Sequence, residues 1–163
     1  MDFSAIALKD SSIGIEGKGR ILQGDADRLR DAVKLSRARP DGWTPLFLNS
    51  GGGNVDAALD MASVIREHKL MPVVRSGEFC ESSCASILIL AGEKSLVAQG
   101  GSLFYHACAT QDATVELDGV CNDLISGIMR DEFGVDYEML LRTLDGFLGD
   151  EAAVSREDRL IAA

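Results

Sequence analysis

The chain has 163 residues, 46% of them hydrophobic, with 16 Lys and Arg against 26 Asp and Glu and a net charge of −10. This length and composition fit a single globular domain over residues 1–163, large enough to fold without a metal or disulfide staple. The acidity argues against a protein that coats nucleic acid or docks on anionic membranes, since both need surplus Lys and Arg.

In chain order, Ile13 to Ile21 reads as a short strand interrupted by Gly17 and Gly19. A helix is predicted from Gly24-Asp25 to about Ala38, with Ala26, Leu29, Ala32 and Val33 at helical spacing. Leu46-Phe47-Leu48 is a continuous apolar run, expected of a strand buried on both faces. After Ser50-Gly51-Gly52-Gly53, a helix from about Val55 to Glu67 carries Ala58, Leu59, Ala62 and Ile65 on one face. Pro72 to Arg75 is the next strand. A helix from Ser83 to Ala91, closed by Gly92, is apolar almost all round and so must be central. Strands at Leu96-Val97 and Leu103–His106 follow, then helices at about Leu117–Arg130 and Tyr137–Leu144. Alternating strands and helices imply an α/β fold with a mostly parallel sheet flanked by helices.

No window approaches the ~18–20 apolar residues of a membrane span; the longest run is Ile87 to Ala91. The start, Met1-Asp2-Phe3-Ser4, lacks the basic and apolar regions of a secretory signal. A cytoplasmic protein is expected, or an exported one whose signal is already removed. Cys80, Cys84, Cys108 and Cys121 lack the paired spacing of a tetrahedral zinc site. Buried thiols or one disulfide fit better, and no metal or cofactor is expected. The charge is uneven: residues 1–75 carry a net +1 and residues 76–163 a net −11.

Three segments could carry chemistry. Asn49-Ser50-Gly51-Gly52-Gly53 joins a buried strand to a helix, and consecutive glycines let the backbone present N–H groups to a ligand. The third spaced glycine of a dinucleotide loop is Asp56 here, and no Gly-Lys-Ser/Thr follows, which leaves an oxyanion hole or a plain tight turn. Gly77 to Cys84 (GEFCESSC) likewise joins strand to helix, and Ser82 and Ser83 stand at the helix start as nucleophile or simple N-cap. His106 closes an apolar strand. It is a core residue or, in a serine enzyme, the only plausible base, because His68 sits in a charged helix end.

In this order and spacing the three segments resemble the Clp protease proteolytic subunit and its wider ClpP/crotonase superfamily. Asn49–Gly53 is similar to the family's Asn-Ser-Pro-Gly-Gly loop, with Gly51 in place of proline. Ser83 to Gly92 (SCASILILAG) matches the nucleophile helix without a gap, and Gln99 to His106 is similar to the strand that delivers the family's histidine. Cys80-Glu81-Ser82-Ser83-Cys84 is similar to the Cys-x-Ser-x-Cys of small bacterial ClpP-like proteins, many predicted to be exported. The resemblance spans roughly residues 13–153.

It implies a spiral of repeated β-β-α units and a serine peptidase with a Ser-His-Asp triad. Carried over, the nucleophile is Ser83 by the ungapped match, or Ser82 if the cysteines set the register. The ungapped match is preferred because an inserted residue is easier to accommodate ahead of a helix than inside it. His106 is the base and Asp145 its partner, while the N–H groups of Gly52 or Gly53 and of Cys84 form the oxyanion hole. The resemblance further implies a peptide or unfolded-protein substrate, a homo-oligomer and an AAA+ ATPase partner. Between His106 and Asp145 the chain is shorter than the family's and acidic (Asp112, Glu116, Asp118, Asp123), where the family joins two heptameric rings. Two other functions fit the same fold: a crotonase-type enzyme acting on acyl-thioesters, and a non-catalytic structural or adaptor subunit.

Overall fold

The computed structural model describes residues 1–105 together with 126, 127, 130 and 131. The chain divides into two compact units, residues 1–104 with 154–163, and residues 105–153. Of the second unit, the four described residues 126, 127, 130 and 131 are helical. The fold that follows is that of the first.

Strands β1 (Asp2–Ala7), β2 (Ile13–Lys18), β3 (Thr44–Asn49), β4 (Leu70–Val74) and β6 (Leu96–Val97) form one sheet in the order β1-β2-β3-β4-β6. β1 pairs antiparallel with β2 and every other pairing is parallel. Strands β5 (Phe79–Glu81) and β7 (Ser102–Phe104) form a separate parallel pair. The architecture is thus mixed α/β with a mostly parallel sheet, as the alternation of elements implied. β1 was not foreseen: DFSAIA lacks clean alternation, and its strand character comes from pairing with β2.

Helices α1 (Asp25–Leu35) and α2 (Val55–Glu67) pack on each other and on the sheet. Leu29, Ala58, Met61 and Ile65 of the helices and Ile15, Leu46 and Leu48 of the sheet are all fully buried. Burying each large side chain contributes about 1.5–3 kcal/mol. Phe47 is only half-buried, because its face of the sheet carries the Arg75 guanidinium 5.0 Å from the ring centroid. α1 stops at Leu35 rather than Ala38. Ser36 is already extended, and both its N–H and its hydroxyl donate to the Val33 carbonyl. Pro72 lies inside β4 rather than at its start, a position open to it because β6 joins only from Val73.

The start of α1 is held by a buried charge. Its N-cap is Gly24, at φ 81° and without a side chain, so Asp25 performs the satisfaction instead. The Asp25 carboxylate, 0% exposed, accepts the Leu22 N–H at 2.6 Å and the Met1 nitrogen at 2.9 Å, and pairs with Arg28. Removing this charge orphans three donors at once. Asp25→Asn is expected to cost about 3–5 kcal/mol, read as a lower urea midpoint at unchanged slope; a midpoint within error of the parent would refute the role.

Candidate active site

β3 runs out at Asn49 and the glycine loop begins. Ser50 pairs with β5 on both sides of its peptide: its N–H donates to Phe79 O at 2.9 Å, and its carbonyl accepts the Glu81 N–H at 2.9 Å. The Ser50 hydroxyl donates to Gly19 O at 2.7 Å and accepts the Gly52 N–H at 3.1 Å. Asn54 ends the loop by capping α2, its side chain accepting the Ala57 N–H at 2.8 Å. Ile21 holds the loop's far side: its N–H donates to Gly52 O at 2.9 Å and its carbonyl accepts the Asn54 N–H at 3.0 Å.

Glycine is obligatory at two of these positions. Gly52 has φ 74°, and a Cβ there would stand 2.6 Å from Glu81 O and 2.7 Å from the Cβ of Ser82. Gly53 has φ 150°, and a Cβ would stand 2.3 Å from Ile21 O. The loop backbone is therefore pressed against Ile21 on one side and against residues 81–83 on the other.

Residues 81–83 turn sharply from β5 into a helix. Ser82 has φ 56°, left-handed for a residue that is not glycine. Its N–H donates to Phe104 O at 2.9 Å at the end of β7, and its carbonyl accepts the Ser86 N–H at 2.8 Å and the Ser86 hydroxyl at 2.9 Å. Ser82 is partly exposed, whereas Ser83 is 2% exposed. The Ser83 hydroxyl accepts the Gly53 N–H at 2.9 Å and donates to the Gly53 carbonyl at 3.3 Å.

The helix after the turn opens with a π-helical segment, Cys84–Leu88, and closes as α3 (Ile89–Ala91). The Ile89 N–H reaches Cys84 O, one residue further back than in an α-helix. A π turn holds one residue more than an α-helical turn. All of Cys84 to Ile89 is buried, as the apolar composition of this helix required.

Cys80 and Cys84 form a disulfide that spans the turn. Both residues are 0% exposed. Closing a five-residue loop contributes about 2 kcal/mol, comparable to the roughly 1–2 kcal/mol that a left-handed residue costs. Sequence spacing left this cysteine pair open between thiols and a disulfide.

Charge surrounds the entry to β5. Arg75 donates to both oxygens of Glu78, at 2.8 and 2.7 Å, and to Glu16. The Arg75 hydrogen bonds hold both carboxyls below the usual glutamate range, and that with Glu78 first raises the guanidinium in turn. These pairs tie β2 and β4 to the segment leading into the turn.

Of the residues singled out from sequence, the structure brings together Gly52, Gly53, Ser82, Ser83 and Cys84. His106, Asp145, Cys108 and Cys121 lie outside the described residues. Sequence reasoning missed Ser50 and Ile21, which fasten the glycine loop; Ser50 is hidden by being an ordinary loop serine, and Ile21 acts through its backbone alone.

This arrangement, a glycine loop packed on a strand-to-helix turn bearing serine, stands on a mixed α/β fold shared with solved protease structures. No family model and no curated protein matches the chain in sequence. Among solved structures, the chain is similar to a lysine-to-alanine mutant of the 1510-N membrane-bound stomatin-specific protease in complex with a substrate peptide. There the TM-score is 0.53 at 21% identity, over 69% of this chain and 55% of that one. It thus spans about half the length of that protease. A serine-to-alanine mutant of the same protease matches with a TM-score of 0.60 at 17% identity, over 87% of this chain and 71% of the other. The ClpP protease catalytic domain from Plasmodium falciparum matches with a TM-score of 0.49 at 16% identity, over 85% and 74%. Among the described residues no helix is long and apolar enough to cross a membrane.

Two outcomes follow from this geometry. Gly52→Ala is expected to lower the melting temperature by several degrees, since the added Cβ would press on Glu81 O and Ser82. Gly19→Ala, at φ 93° with open space around it, is expected to cost only about 1 kcal/mol; equal behaviour of the two variants in calorimetry would contradict the packing argument. The double variant Cys80→Ala/Cys84→Ala is expected to lose about 2 kcal/mol in urea unfolding, and parent-like stability would show that the crosslink holds nothing.

Proposed function

We propose that the protein is a serine peptidase of the ClpP-like kind, with the serine at the β5–helix turn as its nucleophile. The observation that carries this reading is the juxtaposition of that turn with a glycine loop whose missing side chains bring backbone to within contact of Ser82.

Two serines compete for the role, and three observations support Ser82 over Ser83. Ser82 is partly exposed and Ser83 is buried. The left-handed φ of Ser82 sets it on a sharp elbow, a conformation that costs energy and is typically retained at functional sites. The Ser83 hydroxyl is already bonded to Gly53 in both directions. The register set by the two cysteines also selects Ser82, and the π turn supplies the extra residue which that register demands.

In this reading Ser82 Oγ attacks the peptide carbonyl. His106 takes the hydroxyl proton and returns it to the leaving amine, and a water then hydrolyses the acyl-serine by the reverse relay. Asp145 fixes the imidazole. The N–H after the nucleophile becomes that of Ser83 in place of Cys84 and lies against Gly52 of the glycine loop, whose Gly52 and Gly53 N–H groups donate in this structure to the Ser50 and Ser83 hydroxyls. The substrate is a peptide or unfolded protein, and the working form is a homo-oligomer. The buried disulfide supports an oxidising compartment, the exported alternative of the sequence reading.

A fluorophosphonate probe followed by peptide mapping tests the assignment. The adduct is expected on Ser82, absent in Ser82→Ala and slowed at least about a hundredfold in His106→Ala. A folded sample with no adduct on either serine would sink the peptidase reading in favour of a non-catalytic subunit.

A further inference from the structure

Two adjacent serines at one turn raise the question of what the second does. We infer that Ser83 is a positioning residue: its hydroxyl latches the glycine loop to the elbow and so fixes the loop's distance from Ser82. The inference deepens the peptidase reading and rests on Ser82 as nucleophile.

The latch is visible as a two-way bond. A hydroxyl carries one donor and two acceptor sites. Here it accepts from the Gly53 N–H at 2.9 Å and donates to the Gly53 carbonyl at 3.3 Å, so both polar groups of one loop residue close on one side chain. The residue is 2% exposed, which leaves little water to replace those bonds. On the opposite side the loop is tied to Ile21 by backbone bonds at Gly52 and Asn54. Gly53 is thus clasped between Ile21, three residues past β2, and Ser83, which belongs to the elbow.

The clasp has a chemical consequence. A buried serine with both Gly53 groups in hand is poorly disposed to attack a carbonyl, since attack would break two bonds in a dry site. It is well disposed to hold still the loop beside which the oxyanion forms, and misplacement of such groups by about 1 Å can cost about a hundredfold in rate. Without Ser83's hydroxyl the loop keeps its Ile21 side, so the fold should persist while the gap between loop and Ser82 loosens.

The test uses the full chain with Ser83→Ala, Ser83→Cys and Ser83→Thr. Amide exchange at Gly53, followed by NMR, is expected to accelerate at least about tenfold in the alanine and cysteine variants, and to stay near the parent in the threonine variant, which keeps a hydroxyl. Fluorophosphonate labelling of Ser82 should persist in all three but slow about tenfold to a hundredfold in the first two, and peptide hydrolysis should lose kcat with KM little changed. Unchanged Gly53 exchange in both the alanine and cysteine variants would overturn the latch. So would an adduct that maps to Ser83 in the parent and vanishes in Ser83→Ala. If neither serine takes the adduct, the peptidase reading falls, and the exchange at Gly53 still decides the latch on its own. The cysteine variant keeps that decision open should the alanine variant fail to fold.

Discussion

The described fold hangs on one contact, the passage of a glycine backbone between two other backbones. Gly52 and Gly53 lie so close to Ile21 and to residues 81–83 that neither position has room for a Cβ. Through them the segment after β2, the loop after β3, the elbow after β5 and the end of β7 are laced by peptide hydrogen bonds: Ile21 to Gly52, Glu81 to Ser50, Ser82 to Phe104. Each bond contributes only about 1 kcal/mol net. Their joint effect is geometric, because backbone groups have no rotamers to lose and hold their spacing more tightly than side chains could.

The approach to the elbow is stiffened by other means. Arg75 bridges Glu16 on β2 and Glu78 just ahead of β5, with Phe47 beneath its guanidinium. Beyond the elbow, the helix is buried on nearly all sides and cannot shift without opening the core. The disulfide joins these two fixed regions across Ser82. A strained residue is thereby supported from before, from after and from the loop facing it.

Much of this was legible in the sequence. α2 and the central helix announce themselves by their apolar spacing, and the glycine loop and serine turn by residues whose backbone freedom or hydroxyls have few other uses. The remainder was hidden for definite reasons. β1 is a strand because a neighbour pairs with it, which no local alternation records. The π turn has no residue signature, since a hydrogen bond that skips one more position is compatible with any apolar helix. The different settings of Ser82 and Ser83 lie in a dihedral angle and in bonds to a glycine thirty positions earlier in the chain, neither of which the motif Ser-Ser contains.

The π turn bears on how this helix tolerates changes in length. Each α-helical residue advances the helix by about 100° of rotation and 1.5 Å of rise. Cys84–Leu88 holds one residue more than a regular turn would. Deleting a single residue there would restore ordinary α-helical winding without disturbing the buried Ile89 or Gly92 beyond it.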